Sequence, residues 1–169
     1  GFLQSQGCRR IGVLGHSLGA IKAVYAFAGN EPPPSVAWVC AVSPARLCYG
    51  HFAAGPHGQE FRDTLSAAQA HVAAGQPDHL MQVRFPIPYV VTAAGYIDKY
   101  GLVAHAPRLQ LPTLFTFGSV EVHQHAAFQK LPEDLEAIDN PHVRVAVIAG
   151  ADHVYSGTRS ELLARIDFW

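Results

Sequence analysis

Cysteine, charge and long apolar runs are all scarce in this 169-residue sequence, and each shortage excludes something. The three cysteines, Cys8, Cys40 and Cys48, show no metal-type spacing, and their odd number fits no closed disulfide framework. Cys40 stands in an apolar stretch and reads as a small buried hydrophobe. A reducing, cytoplasmic setting is the expectation that follows. Charged residues are 15% of the chain and balance to a formal net charge of -1, so neither nucleic acid nor an anionic membrane surface is expected as the main partner. No apolar run approaches the roughly 20 residues that cross a bilayer. Phe2-Leu3 is not followed by the charged and apolar regions of a secretory signal. No G-x-G-x-x-G follows a strand-like segment and no P-loop occurs, so no nucleotide cofactor is expected. Hydrophobic residues, at 49%, suffice for one globular domain with a real core.

What is present begins at Ile11. An apolar, strand-like segment, Ile11-Gly12-Val13-Leu14, runs into Gly15-His16-Ser17-Leu18-Gly19 and then into a helical pattern. G-x-S-x-G between a strand and a helix is the form of a nucleophile elbow. Glycines at both ends let the turn be tight and the helix pack close to the strand. Ser17 would project from that turn within reach of a base, and the Leu18 amide would lie at the positive end of a helix, where an oxyanion is stabilised. His16, inside the same motif, is expected to pack or hydrogen-bond rather than to catalyse.

The rest of the chain falls into three parts. Residues 1–43 hold a strand over Arg9–Leu14, a helix over Leu18–Ala28 stopped by Gly29-Asn30 and Pro32-Pro33-Pro34, and a second apolar strand over Ser35–Val42. Two such strands joined by a helix form a βαβ unit, hence a parallel sheet covered on both faces. Residues 44–110 show no convincing core strand; helices are expected over Phe61–Ala74, Asp78–Val83 and Tyr89–Tyr100, with Phe85-Pro86-Ile87-Pro88 extended or turning. That length is too great for a simple crossover and reads as an inserted helical cap. Its aromatics, Phe52, Phe85, Tyr89, Tyr96 and Tyr100, either line a pocket or form the cap's own small core, and Lys99 beside Asp98 reads as a solvated pair. Residues 111–169 return to the sheet, with strands over Pro112–Gly118 and His142–Ala149, and Thr158-Arg159-Ser160-Glu161 reads as a capping box opening a last helix.

A serine needs a base to take its proton, and the base needs an acid to orient it. Sites gather at the carboxyl ends of parallel strands, and there stand Gly118-Ser119-Val120-Glu121 and Gly150-Ala151-Asp152-His153. Asp152 is the rival acid, but neighbours in a turn point apart. His123-Gln124-His125 falls in a loop with no fixed third ligand, so no metal site is expected. Together these pieces resemble the latter half of an α/β-hydrolase, over nearly the whole chain outside the cap. That family writes the middle piece as a strand and G-x-x-D, and the last as G-x-x-H or G-x-D-H before a final helix.

The resemblance implies a mostly parallel sheet with flanking helices and a helical cap insertion. It implies Ser17 as nucleophile, Glu121 as acid, His153 as base and the Leu18 amide as one oxyanion donor. The substrate would be a small-molecule ester or related acyl compound, cleaved through an acyl-enzyme without a cofactor. Glu121 departs from the commoner Asp, and the family's first four strands, with the loop giving the second oxyanion amide, have no counterpart here. Arg9–Leu14 is therefore expected to form an unpaired edge through which the chain self-associates, and residues 1–169 alone to be weakly active or inactive, as a piece of a longer enzyme. The alternative from another class is a hydrolase-like binding module that performs no acyl transfer.

Overall fold

The computed structural model describes residues 2–47, 49–53, 55, 58–97 and 101–169. Cys48, Asp98, Lys99 and Tyr100 lie outside the described residues. In chain order the elements are α1 (Phe2–Ser5), β1 (Ile11–His16), α2 (Leu18–Phe27), β2 (Val36–Val42), α3 (Tyr49–Phe52), α4 (Gly58–Ala73), β3 (Leu80–Val83), β4 (Tyr89–Thr92), α5 (Ala93–Ile97) and α6 (Leu102–His105). After a 3₁₀ turn at Ala106–Arg108 come β5 (Thr113–Gly118), α7 (Ser119–Gln124), α8 (Leu131–Glu136), β6 (Val143–Ile148) and α9 (Arg159–Phe168). They form two compact units, one of residues 1–46 with 102–169 and one of residues 47–101. Among the described residues no helix is long and apolar enough to cross a membrane.

In the first unit the apolar runs do what their continuity demands: β1, β2, β5 and β6 pair side by side in that order, all parallel. The central strands β2 and β5 carry the core, with Val39, Cys40, Ala41, Phe115 and Phe117 fully buried. Strands covered on both faces read as unbroken apolar segments, which is why β2 and β5 were legible as strands without alternation. On one face Cys40, Val42, Leu114 and Ile148 pack with Leu162 and Ile166 of α9. Val39 and Ala41 point the other way by the two-residue period, and α2 packs against β1 and β2. The edge strand β1 is only partly covered, and Leu14 is 54% exposed.

Burial also separates the thiols. Cys8 is exposed and Cys40 buried, with burial pushing the Cys40 thiol up to about 12. At neutral pH iodoacetamide is expected to modify Cys8 in the native protein and Cys40 only after unfolding in guanidinium, as peptide mass mapping would read.

The second unit corrects two helical expectations. Leu80–Val83 and Tyr89–Thr92 are strands rather than helix, paired antiparallel with Val83 opposite Tyr89, while the helix expected over Tyr89–Tyr100 is present over Ala93–Ile97. Valine, threonine and tyrosine in short runs favour a pleated ribbon, and the prolines at 86 and 88 fix the connection between them. Phe52, Phe61, Phe85 and Tyr96 pack ring to ring at centroid distances of 5.0 to 6.3 Å, the small core allowed for above. Burial pushes the hydroxyls of Tyr89 and Tyr96 up, that of Tyr96 to about 12.

Three local readings also change. The first strand starts at Ile11 and runs on to His16, so it delivers Ser17 directly. His123 lies in α7, not a loop, with a ring nitrogen donating to the Ser119 carbonyl at 2.5 Å. The Thr158 capping box does not form: at φ −123°, ψ 20° Thr158 makes no side-chain hydrogen bond to the helix amides, and Glu161 takes a hydrogen bond from Ser160 instead.

Candidate functional site

The parallel strands end in step. His16 lies opposite Val42, Val42 opposite Thr116, and Thr116 opposite Ala146. The ladder continues one residue further, Ser17 N–H donating to the Val42 carbonyl at 2.9 Å and Ser43 N–H to the Thr116 carbonyl at 2.8 Å. Polar side chains just beyond four apolar strands are thereby gathered at one end of the sheet.

Ser17 is held at φ 55°, ψ −120°, between the last residue of β1 and the first of α2. A side chain in that region costs on the order of 1–3 kcal/mol, which the surrounding packing must offset. Gly15 makes the turn possible: a Cβ there would lie 2.4 Å from the Gly19 carbonyl oxygen. Gly19 itself faces open space, so only the first glycine of the motif supplies the close approach. Leu18, opening α2, carries one of the first-turn amides that have no acceptor within the helix.

Glu121 is the third residue of α7 and curls back to the helix start, where its Oε1 accepts the Gly118 N–H at 2.8 Å. The same oxygen accepts the Ser43 hydroxyl at 2.5 Å. The side chain is 1% exposed, and a carboxylate so buried is tolerated only with such donors. The other oxygen, Oε2, lies 2.7 Å from His153 Nδ1.

His153 arrives from β6 through a turn at Gly150, φ 72°. Hydrogen bonds to its neighbours and within it fix that loop. Val120 N–H donates to the Ala151 carbonyl at 3.0 Å and Gly150 N–H to Ser119 Oγ at 2.9 Å. His16 Nε2 donates to the His153 carbonyl at 2.7 Å, and Asp152 Oδ1 accepts the Ser156 N–H at 2.9 Å. The hydrogen bonds from Ser156, foremost, hold the Asp152 carboxyl below its usual range. Asp152 is thus engaged by its own loop, while Glu121 faces the imidazole.

The His153 ring rests against Phe128, centroids 5.3 Å apart, and His16, 4.9 Å apart. Its Nε2 lies 3.0 Å from Ser17 Oγ. An ionised carboxylate only accepts, so the proton of the imidazole belongs on Nδ1, leaving the Nε2 lone pair toward the serine hydroxyl. Ser17, His153 and Glu121 therefore form one hydrogen-bonded line, able to draw a proton off the serine and hold the resulting positive charge.

Sequence reasoning missed Ser43, Thr116, Tyr155 and Phe128. Ser43 carried a signal, being the first polar residue after the apolar strand β2, at the end where parallel sheets build sites. Tyr155, two residues beyond His153, is 2% exposed, its hydroxyl 3.2 Å from Ser43 Oγ and 3.1 Å from Thr116 Oγ1. Ser43 and Tyr155, like Ser17, have positive φ, at 46° and 57°. Arg46, after β2, is tied to Asp134 of α8 at 2.5 Å, and its N–H to the Ala127 carbonyl, beside Phe128. Among the described residues no three His, Cys, Asp or Glu side chains are grouped to hold a metal ion.

No protein-family model matches the sequence, and no curated protein sequence matches it. Solved structures do. The α/β-hydrolase MGS-MChE2, from a metagenome of sediments of the Mar Chica lagoon in Morocco, superposes with a TM-score of 0.55 at 16% identity over 99% of this chain and 64% of its own. The proline iminopeptidase of Mycobacterium smegmatis gives 0.54 at 15% identity over 98% of this chain and 66% of its own. The monoacylglycerol lipase of Paleococcus ferrophilus gives 0.55 at 17% identity over 90% of this chain and 63% of its own. The chain thus spans less than two thirds of each of these structures, and within that span its parallel sheet and flanking helices have the α/β-hydrolase fold.

Proposed function

We propose that this chain carries the nucleophile, base and acid of a serine hydrolase that cleaves a small ester or related acyl substrate. The observation that carries the reading is the unbroken line from Ser17 Oγ through the His153 ring to Glu121 Oε2, at 3.0 and 2.7 Å. Ser17 attacks the substrate carbonyl while His153 Nε2 takes its proton. Glu121 keeps the ring in the right tautomer and balances the imidazolium. The Leu18 amide, at the start of α2, stabilises the oxyanion. His153 then protonates the leaving group, and water activated by the same base releases the acyl group from Ser17. No step calls for a cofactor.

The same reading assigns residues 44–110 to a cap insertion and the chain to a reducing compartment such as the cytoplasm. It assigns the exposed edge of β1, with Leu14, to pairing with another chain or another part of a longer one.

The test is covalent. A fluorophosphonate probe is expected to label the wild-type protein on Ser17, located by peptide mass mapping, and to leave Ser17→Ala unlabelled. A folded wild type that takes no label overturns the hydrolase reading and favours a binding module.

A further inference from the structure

We propose that Ser43, backed by Tyr155 and Thr116, is a positioning residue that aims the Glu121 carboxylate at His153 through a one-way line of buried hydroxyls. The proposal rests on the triad reading above. The four groups are shut away from solvent, Ser43 and Thr116 at 0% exposure, Glu121 at 1% and Tyr155 at 2%. Water cannot replace a missing partner there, so each contact has to hold its own proton.

Filling all three contacts at once allows one arrangement. The ionised Glu121 carboxylate only accepts, so the single Ser43 hydroxyl proton lies in the 2.5 Å contact to Oε1. Ser43 Oγ then meets Tyr155 only as an acceptor, which places the phenol proton in that 3.2 Å contact. The 3.1 Å contact between Tyr155 and Thr116 is then filled by the Thr116 proton. Thr116 donates to Tyr155, Tyr155 to Ser43, and Ser43 to Glu121. Chains of this kind polarise in one direction and strengthen the terminal bond. Burial, first among its causes, pushes the Tyr155 hydroxyl up to about 12, so the phenol keeps its proton near neutral pH.

The line also does what the Gly118 amide alone cannot. Gly118 N–H and Ser43 O–H grip Oε1 from β5 and β2, leaving the carboxylate no rotation that keeps both and still turns Oε2 from His153. Ser43 touches neither Ser17 nor His153 in any hydrogen bond, so its influence passes through Glu121.

Two variants test this. Ser43→Gly removes the hydroxyl and adopts φ 46° without strain, while Tyr155→Phe keeps the ring and removes only the phenol oxygen. Circular dichroism and thermal melting first establish that each is folded. With p-nitrophenyl acetate, kcat is expected to fall about 10²-fold in Ser43→Gly with KM unchanged, the size of an ångström-scale misplacement. Tyr155→Phe loses less, because Ser43 still donates.

The second readout needs no activity: the downfield proton resonance of His153 Nδ1–H, followed in protein with ¹⁵N-labelled histidine. It is expected to be sharp in the wild type, and broadened and faster to exchange in Ser43→Gly. If the wild type takes no fluorophosphonate label, the hydrolase reading fails while this resonance still decides the role of Ser43. A folded wild type without the resonance, or one unchanged in both folded variants, overturns the proposal; should Ser43→Gly not fold, Tyr155→Phe decides alone.

Discussion

Glu121→Gln is expected to lower kcat toward a short acyl ester by on the order of 10⁴-fold, with the protein folded and KM little changed. The amide is nearly isosteric with the carboxylate but brings an NH₂ group into a place surrounded by donors. Its one oxygen is claimed by two of them, Gly118 N–H and Ser43 Oγ, on the Oε1 side. Placing it there satisfies both and turns NH₂ toward His153 Nδ1. The imidazole must then accept at Nδ1 and carry its proton on Nε2, 3.0 Å from a Ser17 hydroxyl that it can no longer deprotonate. The opposite flip preserves the tautomer but sets NH₂ against two buried donors, a costlier state. Steady-state kinetics decide the matter, and a Gln variant within tenfold of wild type would remove Glu121 from the mechanism.

Gly118→Ala carries the second large effect, on stability and rate together. A Cβ at this position would lie 2.3 Å from the Ala151 carbonyl oxygen and 2.9 Å from that of Asp152, both backbone atoms. No side-chain rotamer relieves that overlap, so the end of β5 and the loop bearing His153 must separate. The cost is expected at about 1–3 kcal/mol, read as a lower urea midpoint. The same separation pulls Glu121 from His153, and an error near 1 Å is expected to reduce kcat about 10²-fold. Gly19→Ala is the control: it meets open space in α2 and is expected to stabilise the protein by about 0.5–1 kcal/mol. Loss of stability in Gly19→Ala and none in Gly118→Ala would reverse the assignment of which glycine the fold requires.

The sheet was readable because buried parallel strands announce themselves as unbroken apolar runs, and β2 and β5 are of that kind. The elbow was readable because its glycine spacing is local. Glu121 and His153 could be named as candidates because each stands a few residues beyond the end of a strand, past Gly118 and past Gly150, so short-range order located residues that meet only in space. The misses have one cause. The hairpin of Leu80–Val83 and Tyr89–Thr92 is too short to show a period, and what decides it is pairing across the chain. Ser43, Thr116 and Tyr155 belong to three elements, and nothing in their neighbours' identities says that their hydroxyls touch. Thr158 shows the converse, since a capping motif correct in letters makes no cap hydrogen bond at the backbone angles this residue adopts.

The stepped ends of the four strands make Ser17 a gauge of alignment. Ser17, Ser43, Glu121 and His153 each follow a different strand, and no local segment contains two of them. Sliding one strand by a single residue moves its passenger about 3.3 Å, more than the length of the hydrogen bonds that join them. Probe uptake at this serine therefore reports whether β1, β2, β5 and β6 are in register, a quantity invisible to circular dichroism, which counts strands without asking how they are matched. Where the native protein takes the label, a refolded population of it with full secondary structure and no labelling at Ser17 would be one in which the strands have formed and slipped.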